Sequence, residues 1–346
     1  MINSREQLKQ VVVTAEQMRQ IEARIFAAGM PVAALMEKAA GLSATRIQQL
    51  YPHSKVSKVG ILVGPGHNGG DALVIARELH LAGYQVSLYR PIAKLKELTS
   101  QHARYADSLG IPNDEEIEPL QKCELIIDGL FGFGLARSLS GKIVENINQL
   151  NQWGKPVVSI DLPSGLQTDT GEVLGTAVRA TYTLCLGLWK LAFFQDRALA
   201  LIGQAERLDF GIPPMDVWSI VSQPAPIQTI TKPVAQQCLP IPRPAVTHKY
   251  KQGHLLLICG SRRYAGGAIL AGLGARASGV GMLSIAVPTS LKPILNSHLP
   301  EALIIDCPET EMGAMAELSP LASDLSKYSV IACGPGLTQE AQPIIK

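Results

Sequence analysis

At 346 residues the chain is long enough for two domains, each with its own apolar core. Hydrophobic residues make up 47% and charged residues 17%; net charge is +2 with no long basic run. A disordered chain is excluded, and no nucleic-acid partner is expected. The start, residues 1–10, is too polar for a secretory leader, and no apolar run is long enough to span a bilayer, so no membrane partner is expected. Six cysteines (Cys123, Cys185, Cys238, Cys259, Cys307, Cys333) are dispersed without a C-x-x-C pair. Reduced thiols in a cytoplasmic protein are expected, rather than a disulfide frame or a zinc site.

Thr14-Ala-Glu-Gln17 has the form of a capping box and predicts a helix to about Ala28. A second helix is predicted from about Pro31, with Leu35, Met36, Ala39, Ala40 and Leu42 at helical spacing. Strands then alternate with helices. Strands are predicted near 59–63, 85–89, 124–128, 157–160, 182–186 and 204–208, and helices near 70–83, 94–109 and 141–152. The alternation predicts an α/β fold, a parallel sheet with helices on both faces. From Pro213 to Pro244 repeated prolines break regular structure. The domains are therefore read as 1–215, a proline-rich linker 216–245, and 246–346. The last domain has predicted strands at 254–259, 282–287 and 328–333, with a small-residue helix at 268–278. These are too few elements to close a sheet, so it is expected to be incomplete.

The most specific segment is Val59-Gly-Ile-Leu-Val-Gly-Pro-Gly-His-Asn-Gly-Gly-Asp71. An apolar run reads as a buried parallel strand, and Gly64, Gly66, Gly69 and Gly70 as a tight turn into a helix. Such a turn aims backbone N–H groups and the positive end of the helix dipole at one spot, which suits a phosphate or pyrophosphate. The glycines also match the dinucleotide fingerprint of oxidoreductases, which expects an acidic residue ending the next strand. Here that strand ends in Arg90, which could accept a 2′-phosphate, so an NADP-dependent oxidoreductase is one alternative. The plainer reading is glycine used only for a turn, but four glycines with Asn68 and Asp71 exceed what a turn needs.

Ligands of an open parallel sheet sit at the carboxyl ends of its strands. Two further strand ends carry polar chemistry. Asp128 closes one and leads into Gly129-Leu-Phe-Gly132-Phe-Gly134-Leu; Asp161 closes the other and leads into Leu-Pro-Ser164-Gly165. Each carboxylate alone could be a cap or turn residue. Together with Asn68 and Ser164 they make a hard-oxygen set suited to an alkali or alkaline-earth cation. The loop 132–138, with Arg137, could wrap nucleotide phosphates.

In combination, residues 64–71, 128–135, 161–166, 183–190 and 208–213 resemble the NAD(P)H-hydrate epimerase family, the YjeF N-terminal domain. The resemblance covers nearly all of residues 10–213. It implies a three-layer αβα Rossmann-like domain, a substrate that is NAD(P)H hydrated at nicotinamide C6, and a bound potassium ion (K+). It also implies that His67, Asn68, Gly69, Gly70 and Asp71 contact substrate, as do Gly132, Phe133, Gly134, Leu135, Ala136, Arg137, Ser138 and Asp161. Asn68, Asp128 and Ser164 would ligate potassium. The chain departs from the family where His67-Asn68 replaces the usual Asn-Asn, and where Ala72 replaces a usual Gly.

Residues 247–336 resemble the ADP-dependent NAD(P)H-hydrate dehydratase, a ribokinase-like α/β domain that would use ADP (or ATP) and Mg2+. Ala271 and Gly336 match early substrate contacts of that family. Its late motifs have no counterpart, so the domain is expected to be truncated and to have little dehydratase activity. A sugar kinase fails on the same missing groups.

The hydrated carbon is a hemiaminal, and inverting it needs either ring opening or loss and return of water. Both want a positioned acid/base and a clamp on the dinucleotide. Asp161 is the first choice for catalysis and Lys190 the second; His67 is weaker. A catalytically silent dinucleotide-binding module is the other alternative, but it would want these carboxylates eroded. A homo-oligomer is expected.

Overall fold

The computed structural model describes residues 4–239, 241–341 and 344. The chain divides into two compact units, residues 1–236 and 237–346.

The first unit opens with α1 (Ser4–Leu8), β1 (Val12–Val13), α2 (Ala15–Ala27) and α3 (Val32–Leu50). The Thr14 capping box is present: Thr14 Oγ1 accepts from Gln17 N, and Gln17 Oε1 accepts from Thr14 N. The main sheet is then built from β2 (Lys58–Val63), β3 (Gln85–Tyr89), β4 (Asn113–Asp114), β5 (Leu125–Gly129), β6 (Val157–Ile160), β7 (Tyr182–Leu186) and β9 (Gln204–Leu208), while β8 (Trp189–Lys190) pairs with β1 in a separate two-stranded sheet. Between strands lie α4 (His67–Leu81), α5 (Glu97–Ser108), α6 (Lys142–Gln152) and α7 (Asp196–Ile202); α8 (Pro214–Trp218) and α9 (Lys232–Gln237) follow.

Seven strands pair in the order β4-β3-β2-β5-β6-β7-β9, all parallel. Successive side chains of a strand point to opposite faces, and both faces are buried here. Val59, Ile61 and Val63 of β2 join the core formed with α3, α4 and α5. Leu62 joins the core on the other face, with Ile147 and Leu150 of α6. The strand order reverses between β2 and β5, so the crevice at their carboxyl ends is the place where this architecture binds ligands.

α4 begins at His67, three residues before the predicted start. Glycine is a poor helix former, yet Gly69 and Gly70 stand where a side chain does not fit. A Cβ on Gly69 would lie 1.8 Å from Gly64 O, and one on Gly70 would lie 2.6 Å from Met36 Sδ. The segment read as a linker is also partly folded onto the first unit. Val217, Val221 and Ala225 are buried in its core, and Gln228 bridges Val11. The prolines bend this segment without detaching it.

The second unit contains β10 (His254–Ile258), α10 (Ala265–Ser278), β11 (Met282–Pro288), α11 (Lys292–His298), β12 (Leu303–Cys307), α12 (Pro320–Ser323) and β13 (Val330–Cys333). Four parallel strands pair in the order β12-β11-β10-β13. β12 is a strand that the sequence reading omitted, so a sheet does form. No helix among the described residues is long and apolar enough to cross a membrane. All six cysteines are free thiols; Cys238 and Cys333 are exposed and the other four buried.

Candidate functional site

The site grows from three strand ends at the reversal point. After β2 the turn is held by Gly64 N donating to Gly129 O at 3.0 Å and by Thr99 Oγ1 donating to Gly66 O at 2.8 Å. A Cβ on Gly64 would stand 1.7 Å from Leu130 O, so the β2 and β5 turns touch through backbone alone. His67 is exposed, Asn68 is half-buried, and Gly69, Gly70 and Asp71 are buried. Burial, with Asp161 and Glu22 nearby, holds the Asp71 carboxyl well above its ordinary range. Burial and the neighbouring Lys96 push the His67 imidazole down.

Asp128 ends β5 fully buried. Ser159 Oγ donates to its Oδ2 at 2.8 Å, Ser164 N to Oδ2 at 2.9 Å, and Ser164 Oγ to Oδ1 at 2.6 Å. Burial raises its pKa nonetheless, against these hydrogen bonds. No ion pair reaches it among the described residues. Ser164 Oγ also lies 3.2 Å from Phe131 O. Asn68 Nδ2 is buried without a hydrogen-bond partner. A Cβ on Gly132 would stand 3.1 Å from Asn68 Oδ1 and 2.9 Å from Asp161 Oδ2, so both side chains converge on this glycine. The donor set is oxygen only and carries one charge. A buried carboxylate without an ion-pair partner, with the Asn68 carboxamide oxygen and the Ser164 hydroxyl, is the hard-oxygen set that a monovalent cation takes, whereas the orphaned Asn68 Nδ2 calls for an acceptor such as a substrate oxygen.

Asp161 follows β6. It has φ of 66°, the one non-glycine residue with positive φ among those described, and such strain concentrates at functional positions. Lys190 Nζ donates to Asp161 Oδ1 at 2.6 Å and also to Leu186 O. Phe133 N donates to Asp161 Oδ2 at 2.9 Å, and the Phe133 ring centroid lies 5.7 Å from Lys190 Nζ. Both charged side chains are buried. Burial opposes the Lys190 ammonium, but Asp161 and its other neighbours outweigh it and raise its pKa. Thr168 Oγ1 donates to Phe133 O at 2.8 Å and holds the β5 loop against the loop after Ser164.

Asn68, Asp128, Gly132, Phe133, Asp161 and Ser164 are thus brought together. Gly134, Ala136, Arg137 and Ser138 lie on the exposed side of the loop, with Leu135 half-buried. Arg137 has no ion pair or hydrogen bond among the described residues, which leaves it available to an anion. Arg90, which the oxidoreductase alternative needs, is instead engaged by Asn113 at 2.8 Å and Asp107 at 3.3 Å. In the second unit Gly336 O accepts from Ser261 Oγ at 2.8 Å, while Ala271 of α10 packs half-buried against the apolar core.

Sequence reasoning missed Ser159, Thr168 and Glu22. Glu22 lies on the buried stripe of α2, with Met18, Ile21 and Ile25, and an acid on an apolar stripe is the signal that marks it.

Residues 32–192 match the family described as YjeF-related protein N-terminus, and residues 255–346 match the NAD(P)H-hydrate dehydratase family. A bifunctional NAD(P)H-hydrate repair enzyme of Synechocystis is 55% identical over 335 residues, covering 97% of this chain and 64% of that protein. An NAD(P)H-hydrate epimerase of Limosilactobacillus reuteri is 40% identical over 189 residues, covering 54% of this chain and 88% of that protein. The crystal structure of yeast ynu0 aligns with a TM-score of 0.50 at 24% identity, over 57% of this chain and 87% of that one, and supports the fold. The chain spans just under two thirds of the length of the bifunctional Synechocystis relative. Nothing in these matches supports the expectation that the second unit is inactive.

Proposed function

The chain belongs to the NAD(P)H-hydrate epimerase family and continues into a segment of the dehydratase family, and from that premise we propose that its first unit interconverts the R and S forms of NAD(P)H hydrate. The observation that carries this reading is the buried Asp161–Lys190 pair, 2.6 Å apart, beside the oxygen cluster of Asp128 and Ser164 at the β2/β5 reversal.

The dinucleotide lies across the glycine turn and the loop 132–138. The N–H groups that open α4 and the Arg137 guanidinium meet its phosphates. The hydrated nicotinamide reaches Asp161. Inversion at C6 proceeds by loss and return of water. Asp161 is held as an ion-paired carboxylate by Lys190 and by Phe133 N, and it accepts the proton of the returning water. Asn68, Asp128 and Ser164 would hold potassium, whose positive charge would fix the two loops. Against the oxidoreductase alternative stands the engagement of Arg90 by its own neighbours.

The second unit takes the role of its matching family, ADP- or ATP-dependent dehydration of the S hydrate with Mg2+. Recovery of NAD(P)H from the S hydrate on adding ADP tests it.

For the first unit the test is chromatographic separation of the epimers. R hydrate alone should relax to the mixture faster with protein than without, and the acceleration should weaken when potassium is replaced by a bulky organic cation. A relaxation no faster than the spontaneous one, with folded protein at micromolar concentration, rules the reading out.

A further inference from the structure

Asp161 is an incomplete answer to the chemistry. One of its oxygens accepts from Lys190 Nζ and the other from Phe133 N, so both are engaged as acceptors and neither is placed to donate. Departure of the C6 hydroxyl as water needs an acid. That acid must lie at the same site and must recover its proton from solvent.

Glu22 meets both needs. β1 pairs with β8 in parallel, Val13 opposite Lys190, so the chain that enters α2 is tied to the strand carrying the lysine. Asp169 Oδ1 accepts from Ala15 N at 2.7 Å and ties the first turn of α2 to the loop that follows Ser164. Glu22 lies on the buried face of this anchored helix and is itself half-buried. It interacts electrostatically with Lys190 of β8 and Asp161 after β6, with Asp71 of α4, and with Arg19 on its own helix. Asp71 shares the neighbourhood but is buried, with less access to solvent protons.

We propose that Glu22 is the catalytic acid of this site and delivers the proton to the hydroxyl leaving C6 of the bound hydrate. The proposal rests on the epimerase reading. The Glu22 carboxyl gives its proton to the hydroxyl oxygen. The C6–O bond breaks with both electrons on oxygen, releasing water, while the N1 lone pair forms the N1=C6 double bond. Water then adds to the opposite face of C6, the N1=C6 electrons return to N1, and the surplus proton passes to Asp161. Exchange with solvent resets both carboxyls, so no net proton is consumed. Burial, opposed by Lys190, holds Glu22 at about 7, which keeps its acid form populated near neutrality.

The test is the pH profile of kcat for epimerisation, corrected for the spontaneous reaction, in wild type, Glu22→Gln and Glu22→Asp. Wild-type kcat should fall as pH rises through about 7. Glu22→Gln should lose about 100-fold or more in kcat with KM nearly unchanged, and the limb near neutrality should vanish. Glu22→Asp should recover part of kcat, with the limb displaced. A Glu22→Gln enzyme with wild-type kcat overturns the proposal, as does one that loses activity but keeps the limb. If Glu22→Gln does not fold, Glu22→Asp decides: unchanged kcat and profile overturn the proposal. An inactive wild type removes the epimerase reading and the role of Glu22 with it, whereas an active wild type with a fully active glutamine variant removes Glu22 alone.

Discussion

At the scale of single residues the site is a problem in buried charge. Lys190 and Asp161 are taken out of water together, and their mutual attraction at 2.6 Å offsets a desolvation cost that neither could bear alone. Asp161→Asn keeps the shape and leaves the ammonium uncompensated, so it should lower stability by about 3 kcal/mol as well as abolish activity. Adding Lys190→Met removes the stranded charge and should restore most of that stability in urea denaturation without restoring activity. If the double variant is no more stable than the single one, the pair is not what the fold depends on there. Glu22 offers a second readout, independent of turnover. Below its ordinary value of 4.5 it is protonated in both the folded and the unfolded chain. Between 4.5 and about 7 only the unfolded chain releases the proton, so the folded state loses stability as pH rises through that window and loses no more above it. Glutamine has no proton to release. The Tm of Glu22→Gln relative to wild type should therefore increase between about pH 5 and about pH 8. A difference independent of pH would show that Glu22 ionises in the folded protein as it does in water.

At the scale of elements, backbone contact sets the geometry of the crevice. Gly64, Gly69 and Leu130 stack main chain on main chain, and this brings the opening of α4 against the end of β5. Gly69→Ala forces a methyl to 1.8 Å from Gly64 O and should cost about 3 kcal/mol by urea denaturation. Gly66→Ala in the same turn meets nothing within 4 Å and should cost under about 1 kcal/mol. Equal effects would mean that the turn needs glycine for flexibility and not for close approach. The strands of the first sheet were legible because a parallel strand buried on both faces reads as an apolar run, and Val157–Ile160 and Tyr182–Leu186 were found at their limits. Asp128 and Asp161 were legible for the same reason, as carboxylates ending runs where packing has no use for them. The short pairing of Val12–Val13 with Trp189–Lys190 was not, because two residues carry no periodicity, and with it went the tie between the segment that enters α2 and the strand carrying the lysine. β12 was missed although Leu303-Ile-Ile-Asp306 repeats the pattern of Leu125-Ile-Ile-Asp128. The start of α4 was misplaced because propensity alone counts Gly69 and Gly70 against a helix, while tertiary contact demands them.

At the scale of the molecule the question is where the first unit ends. Proline density placed its boundary near residue 215, but proline limits backbone pairing and says nothing about side-chain burial. From α8 onward the chain inserts Val217, Val221 and Ala225 into the core that contains Ile21, Ile25 and Met36, and Thr229 N donates to Gln10 O at 2.8 Å. Residues 235–239 and 241–251, by contrast, are exposed throughout. A protease finds accessible backbone in the second stretch and a packed segment in the first. Limited proteolysis should therefore cut within about residues 237–251 and leave a product that retains Val217–Gln228. A fragment ending at 213 lacks the two buried valines and should be less stable than one ending at 236 by about 3 kcal/mol, or on the order of 10 °C in Tm. Early cleavage between 213 and 225, or equal melting of the two fragments, would return this segment to the status of a linker.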